Sequence, residues 1–292
     1  MSVEVACREK AVVTRALAVI SDIATLPEVT VKIIGIVEDP NSTARDLHQV
    51  IKTDPALSAK VLKVVNSAFY GLPGQVASVD RAIVLLGMSA VKNIAVAASI
   101  ARLFKSGKMS EQFSARDLWR HSVAVGVAAR LIAKASGQPA GLDEVFLAGL
   151  IHDIGILVQR QAFADQLSDV IARCSAGEGD FGNLEVAIIG ADHQAFGDGL
   201  TTKWKFPRHL RAAVGFHHYP EKLSAELRKL GSTVCLADVI CCQRKLGFHL
   251  TAQHGQVTEE LVQATGVTPE QLDEIDENLE EALEEAENML VG

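Results

Sequence analysis

Gly149-Leu-Ile-His152-Asp153-Ile-Gly155 sets an imidazole beside a carboxylate inside Leu142–Arg160, an otherwise apolar stretch with the length and composition of a helix. Ionisable groups in such a place need partners, because an isolated buried charge loses its hydration. A single histidine there is more often a hydrogen-bonded core residue. An adjacent His-Asp pair followed by glycine points instead to a site.

Outward from this stretch, helix signals recur along the chain, whereas β-branched runs of alternating polarity bounded by turn residues are scarce. The expected fold class is all-α. A short helix opens after Leu26-Pro27 and breaks at Asp39-Pro40-Asn41, and Ser42 or Thr43 caps the next one through Val50 and Ile51. Asp54-Pro55 reads as an N-cap followed by proline at the first helical position. The helix it opens runs to about Asn66, with Leu57, Val61, Leu62 and Val65 on one face. After the loop Tyr70-Gly-Leu-Pro-Gly74, a helix from about Ser78 ends at Gly87, and Ser89 can cap the long helix that follows. Asn66, Ser67 and Tyr70 read as turn-closing residues rather than as a binding surface.

From Ser114 a second helical set is expected at Leu118–Ser136, Leu142–Arg160, Ala164–Ala176, Asn183–Phe196, His209–Phe216 and Leu223–Leu246. An organisational boundary falls near Lys105–Met109, where Lys-Ser-Gly-Lys breaks the helical pattern, although both sets could share one core. The last segment opens with Thr268-Pro-Glu-Gln271, a capping-box arrangement, and then spaces Leu272, Ile275, Leu279, Leu283 and Leu290 along one stripe. It reads as an acidic amphipathic helix docked on the protein's own core.

With 292 residues, 48% of them hydrophobic and 22% charged, the chain has the balance of a globular protein with a sizeable core. The net charge of -8 is concentrated at one end. Of 36 acidic residues, ten fall in Glu270–Glu287, and the remaining 26 nearly balance the 28 Lys and Arg. No basic stripe is left to neutralise a nucleic-acid backbone, so direct nucleic-acid binding is not expected. The five cysteines, Cys7, Cys174, Cys235, Cys241 and Cys242, are odd in number and contain no C-x-x-C pair; with no secretory signal pattern, a reducing cytoplasm is the expected compartment. Ala90–Phe104, among the most apolar stretches, is interrupted by Lys92, Asn93 and Arg102, and no membrane span is expected.

Further candidate ligands accumulate in order: Asp117 and His121, four apart on one helical face; His193; the doublet His217–His218; and Asp238 within the apolar segment Val234–Cys241. Imidazole nitrogen together with carboxylate oxygen suits Fe, Mn, Zn, Ni or Co. His48, His209, His249 and His254 stay outside the set, so histidine richness alone does not account for it. The alternative, in which paired His and Asp side chains satisfy one another without a metal, stays open at this point.

His121, then His152–Asp153, then Asp238 resemble the ordered H…HD…D signature of HD-superfamily phosphohydrolases. That resemblance implies that these four residues hold one metal and that Asp153 bridges to a second. Asp117, His193, His217 and His218 are similar to the further ligands of HD-GYP phosphodiesterases, which bind two or three metals and hydrolyse cyclic di-nucleotides. Asp117 stands where that family commonly has Glu. Two departures weigh against carrying the activity across. Ile156 replaces the lysine usual just beyond the HD-x-G turn, and His217-His-Tyr-Pro-Glu221 lacks the Asp-Gly-x-Gly-Tyr-Pro continuation.

The N-terminal half resembles HDOD proteins, a regulatory branch of the same superfamily. The resemblance is carried by Leu26-Pro-Glu-Val-Thr-Val31, Ile51-Lys-Thr-Asp-Pro-Ala56-Leu-Ser, Lys63-Val-Val-Asn-Ser-Ala-Phe-Tyr70-Gly and Ala82-Ile-Val-Leu-Leu-Gly87, followed by Gly190-Ala-Asp-His193 and Trp204-Lys-Phe-Pro207. It implies an HDOD domain over residues 19–245: an N-terminal helical part, 19–108, precedes a multi-helix HD-like metal-binding part, 109–245. Residues 246–292 form a C-terminal helical extension.

The function implied is a bacterial signal-transduction module with a retained metal centre and weak or no catalysis. The cofactors expected are two divalent transition-metal ions, Fe or Mn ahead of Zn, Ni or Co. Asp153 is the candidate bridging residue, and no catalytic residue is assigned beyond it. The alternative is a metal-dependent phosphohydrolase or cyclic-nucleotide phosphodiesterase. A signalling protein is the expected partner, with a phosphate-containing small molecule as the candidate ligand.

Overall fold

In a computed structural model that describes residues 3–20, 26–39, 41–104, 107–138 and 141–290, every regular element is helical. The first group comprises α1 (Val3–Val19), α2 (Glu28–Glu38), α3 (Ala44–Lys52), α4 (Pro55–Val65), α5 (Val79–Leu86) and α6 (Met88–Ile100). Their ends follow the local chemistry. Thr43 and Asp46 form a reciprocal capping box on α3, and Asp54 Oδ1 accepts the Leu57 N–H at 2.9 Å ahead of Pro55 on α4. Gly87, at φ +88°, ends α5 and directly precedes α6 in the place expected of Ser89. A residue with Cβ is strained in that conformation, so glycine makes the abrupt change of direction. Helix α6 is buried on all sides from Ala90 to Ile100 and packs against α2, α4, α5 and α8.

A short 3₁₀ turn, Ala101–Phe104, leads toward the second group. Its helices are α7 (Ala115–Ala135), α8 (Leu142–Ile151), α9 (Ile154–Ala162), α10 (Ala164–Ser175), α11 (Phe181–Ile188), α12 (His193–Lys203), α13 (Arg208–Phe216), α14 (Ala225–Gln243), α15 (Glu259–Thr265) and α16 (Pro269–Leu290). Two stretches read as single helices are each broken in two. Leu142–Arg160 divides at His152–Asp153, and Asn183–Phe196 divides between Ile188 and His193 at a turn containing Gly190 with φ +98°. The first run stays apolar on either side of the His-Asp pair, so its hydrophobic pattern carries no sign of the break, whereas the second is marked by Gly190 and by Asp192, whose Oδ1 accepts the Ala195 N–H at 2.8 Å and caps the new helix. At the first break Gly155 packs directly on the backbone of His193 and Gly197, so the chain turns there as it enters the site.

Helix α7 is the axis of this half and packs against α8, α14 and α16. Its contact with α8 is close because Gly149 faces Gly126, where a Cβ on Gly149 would sit 2.8 Å from the Gly126 Cα. Buried apolar residues from Val12 to Met289 belong to one connected cluster, so the helices on either side of Lys105–Met109 share a core. The loop after α4 ties the two groups together. Tyr70 donates a 2.6 Å hydrogen bond to Asp143 Oδ1 at the start of α8, and Arg130 of α7 lies 4.1 Å over the Phe69 ring. Asn66 fastens the base of that loop: its Nδ2 donates to the carbonyls of Leu62 and Val76, and its Oδ1 accepts the Val76 N–H.

The C-terminal helix is docked on α7 and α4, with Ile275, Leu279, Leu283, Ala286 and Met289 buried. Its Thr268–Gln271 capping box forms as read from the sequence. Among the described residues, no helix is long and apolar enough to cross a membrane.

Candidate metal centre

Seven of the eight residues singled out in the sequence converge at one buried point. His121 comes from α7, Asp238 from α14 and His193 from the first turn of α12. His152 and Asp153 form the joint between α8 and α9, and His217 and His218 follow α13. The side chains of all but His218 are fully buried; that of His218 is 17% exposed. Gly155 makes the convergence possible, because a Cβ there would collide with the His193 carbonyl and the Gly197 amide and force α9 away from α12.

Asp117 does not join them, which corrects the expectation drawn from its i,i+4 spacing to His121. It occupies the third position of α7, and its Oδ2 accepts from the Ser114 N–H at 2.7 Å and the Ser114 hydroxyl at 2.6 Å. A capping-box carboxylate reaches back toward the start of its helix, away from the turn that carries His121.

The Asp153 carboxylate lies between two sets of donors. Oδ2 is 3.3 Å from His152 Nε2 and 3.7 Å from His121 Nε2, while Oδ1 is 3.4 Å from His193 Nε2 and 3.5 Å from His217 Nε2. Asp238 Oδ1 adds to the first set, 3.1 Å from His121 Nε2 and 3.7 Å from His152 Nε2. His218 belongs to the second, its Nε2 3.0 Å from His193 Nε2, while its Nδ1 lies 3.6 Å from Asp238 Oδ2.

The outward nitrogens fix the rings. Nδ1 of His121, His152 and His217 faces the carbonyls of Leu246, Gly149 and Val214 at 3.2, 2.7 and 2.8 Å, and Nδ1 of His193 faces Glu185 Oε2 at 2.7 Å. Carbonyls and carboxylates only accept, so Nδ1 carries the hydrogen in each ring. In the neutral imidazoles Nε2 then turns a lone pair toward the centre. His193 Nε2 is 3.2 Å from His217 Nε2 and 3.0 Å from His218 Nε2, so lone pairs confront one another unless a cation lies among them. His152 Nε2, both Asp153 oxygens and Asp238 Oδ2 are buried with no hydrogen-bond partner. This chemistry fits a bound cation.

Protons give the same message in its absence. Burial drives the His152 and His193 imidazoles toward the neutral form, but carboxylate charge outweighs it and pushes both up to about 10; Asp153 leads for His152, and Glu185 with Asp153 for His193. Burial likewise opposes ionisation of Asp153 and Asp238, yet the surrounding imidazoles hold both well below the usual carboxylate range. His217 and His218 are pushed down, by burial first and then by their charged neighbours. A cluster that recruits protons against burial is electrostatically prepared for cations.

Three contributors are not evident from sequence reasoning. Glu185 of α11 accepts from His193 at both Nδ1 and the backbone N–H, although a glutamate in a short helix ordinarily reads as solvated. Cys242 lies against Asp238 with its Sγ 3.3 Å from Oδ1, and a cysteine outside any C-x-x-C pair carries no ligand signature in the sequence. Gln194 accepts the His218 N–H at 3.1 Å. Ile156, which stands in the lysine position, is buried in the apolar core. A cleft of about 290 Å³ reaches the centre's edge at His218, with Asp180, Asp192, Gln194, Tyr219 and His254 among its lining and, among the described residues, no Lys or Arg.

Comparison with known proteins gives the geometry a family. Residues 23–220 match the HDOD domain. The chain belongs to the HDOD family. The matched segment contains His121, His152, Asp153, His193, His217 and His218 and ends before Asp238. An uncharacterised protein of Treponema pallidum (strain Nichols) is 26% identical over 220 residues, 75% of this HDOD chain, which spans only 42% of that relative's length. An HDOD domain protein of unknown function from Geobacter sulfurreducens superposes with a TM-score of 0.81 at 22% identity, covering 97% of this chain and 99% of the other. A candidate phosphohydrolase from Shewanella amazonensis SB2B gives 0.72 at 23% identity, with 96% and 98% covered. A candidate signal transduction protein from Marinobacter aquaeolei VT8 gives 0.76 at 21% identity, with 97% and 65% covered. These likenesses establish the HDOD fold.

Proposed function

We propose that this HDOD protein is a bacterial signal-transduction module, acting in the cytoplasm on a protein partner, whose helical core is organised around two divalent metal ions and which has weak or no catalysis. His121, His152, Asp238 and Asp153 Oδ2 would hold one ion, and His193, His217, His218 and Asp153 Oδ1 the other. The observation that carries this reading is the two-sided Asp153 carboxylate, which turns one oxygen to each group of Nε2 atoms. Nitrogen and carboxylate donors of this kind suit Fe or Mn, with Zn, Ni or Co also accommodated. Two features of the surroundings support weak catalysis. Ile156 offers no charge to a phosphate, and the cleft beside His218 is lined by carboxylates rather than cations. The test is metal quantification on protein purified without a polyhistidine tag or nickel column. Near-stoichiometric metal that is lost in Asp153→Ala supports the reading; Fe, Mn, Zn, Ni and Co all far below stoichiometry would reject it.

One observation favours a second reading, a metal-dependent phosphohydrolase or cyclic-nucleotide phosphodiesterase: the cleft opens directly onto His218 and gives a small molecule a route to the centre. When bound, such ions supply Lewis acidity and lower the pKa of bound water. The residues of this chain would orient the phosphoryl group at the cleft and keep the imidazole ring nitrogens aimed inward. Turnover by Mn- or Fe-loaded protein on nucleotides, cyclic nucleotides or cyclic di-nucleotides, above an Asp153→Ala control, would establish it. No turnover above that control rejects it.

A further inference from the structure

The ligand set described above leaves one buried donor unused. Cys242 follows Asp238 by four residues on α14, which places both side chains on the same face one turn apart. Its Sγ is 3.3 Å from Asp238 Oδ1, the oxygen that His121 Nε2 meets at 3.1 Å, and donor atoms of these three residues all lie within 4.8 Å of one another. All three side chains are buried. Around them the Nε2 of His152, both oxygens of Asp153 and Oδ2 of Asp238 are buried without partners, so the thiol adjoins groups that independently call for a cation.

The spacing is that of a coordination shell. Metal–sulfur bonds near 2.3 Å and metal–nitrogen or –oxygen bonds near 2.0 Å put neighbouring donors about 3.3 to 3.5 Å apart at tetrahedral angles and about 2.8 to 3.1 Å apart at right angles. The observed 3.1 and 3.3 Å fall within that span. Thr251 Oγ1, 3.6 Å from Sγ, supplies a hydroxyl beside the sulfur. Among the described residues, Cys7, Cys174, Cys235 and Cys241 belong to no comparable group of donors.

We propose that Cys242 is a thiolate ligand of the ion held by His121 and Asp238. The inference rests on the metal-centre reading and deepens it. One half of the centre gains a soft sulfur donor, while the half around His193, His217 and His218 keeps nitrogen and oxygen alone. Coordination exchanges the S–H bond for a metal–sulfur bond and releases one proton to solvent, with no change of oxidation state. Sulfur biases that position toward Zn or Fe and away from Mn, so the two positions differ in metal preference.

The test uses the full chain, stripped of metal and loaded anaerobically with Co(II). A cobalt–thiolate bond produces a sulfur-to-metal charge-transfer band in the near ultraviolet, which a thiol merely hydrogen-bonded to Asp238 does not. Wild type is expected to show that band beside its visible ligand-field bands. Cys242→Ser should lose the first and keep the second, and Cys235→Ser should keep both. Co(II) binding by wild type without the charge-transfer band, or its persistence in Cys242→Ser, overturns the sulfur ligand and leaves the His/Asp centre standing. If wild type takes up none of Co(II), Zn(II), Mn(II) or Fe(II), both the ligand and the centre fail. The wild-type spectrum decides even if a variant does not fold.

Discussion

Glu185 grips His193 twice, accepting the ring Nδ1–H at 2.7 Å and the backbone N–H at 3.1 Å through the same oxygen. The first contact sets the tautomer that aims Nε2 at Asp153, and the second holds the start of α12. Carboxylates in this position raise the basicity of a ligating imidazole, and their loss typically costs about 10- to 100-fold in metal affinity. Glu185→Ala is therefore expected to weaken metal binding by that factor without removing a ligand. Competition against a chromophoric chelator measures it; an unchanged affinity would show that Glu185 acts only in folding.

Asp153 turns an oxygen to each donor group, whereas His218 turns its Nε2 to the group of His193 and meets the other only through Nδ1, 3.6 Å from Asp238 Oδ2. Asp153→Ala should lower occupancy at both positions together, while His218→Ala should lower it at one and leave the other filled. Metal-to-protein ratios after dialysis distinguish the two variants. Equal losses in both would contradict the division of donors around Asp153.

The protonation of the centre gives a pH dependence with a definite sign. In metal-free protein, His152 and His193 are pushed up to about 10, so the stability their charged forms contribute is complete below the unfolded value of about 6.5 and is lost as pH rises through about 10. Asp153 and Asp238 act oppositely: their contribution is present above the usual carboxylate range and is lost as pH falls through their depressed values. Metal must displace the imidazolium protons. The rise in Tm produced by saturating Mn(II) is thus expected to grow between about pH 6.5 and about pH 9. Thermal melts with and without metal across that range test this, and a rise that shrinks with pH would count against the assignment.

Tyr70 illustrates a motif whose role is internal. Its hydroxyl donates to Asp143 Oδ1 at 2.6 Å and ties the loop after α4 to the first turn of α8. A half-buried hydrogen bond to a charged acceptor contributes about 1 to 2 kcal/mol. Tyr70→Phe should destabilise the protein by about that amount in urea denaturation while leaving metal content unchanged. Loss of metal in this variant would give the loop a larger part in the site than its contacts indicate.

The order of His121, His152–Asp153, His193, His217–His218 and Asp238 is legible in the chain because ionisable side chains set in or beside apolar stretches need partners wherever the backbone runs. The capping boxes at Thr43 and Thr268 are equally legible, since they depend on residues three apart. What escapes is the direction of a side chain with two partners in reach: Asp117 shares a helical face with His121, yet Ser114 takes its carboxylate. The break at His152–Asp153 escapes for a related reason: it accompanies the close approach of Gly155 to α12, a tertiary contact that leaves no mark on hydrophobic periodicity. The break before His193 is marked locally, by Gly190 at φ +98° and by the Asp192 cap.

The stripe on α16 carries the last expectation. Leu279 and Leu283 are fully buried against a core that also contains α7, while Arg244, just past the end of α14, holds the outer side through Asp276 at 3.0 Å and Glu280 at 3.0 Å. The ion pairs are partly exposed and contribute little. The apolar stripe dominates, because truncating a fully buried leucine removes its transfer energy and leaves a cavity, together about 2 to 5 kcal/mol. Leu279→Ala should therefore lower stability by an amount in that range, whereas Glu280→Ala should change it by less than about 1 kcal/mol. Chemical denaturation of the two variants separates them. If Leu279→Ala is nearly neutral, α16 is detachable in solution and its acidic face becomes a candidate contact for the signalling partner; a loss of the expected size fixes α16 as part of the HDOD core.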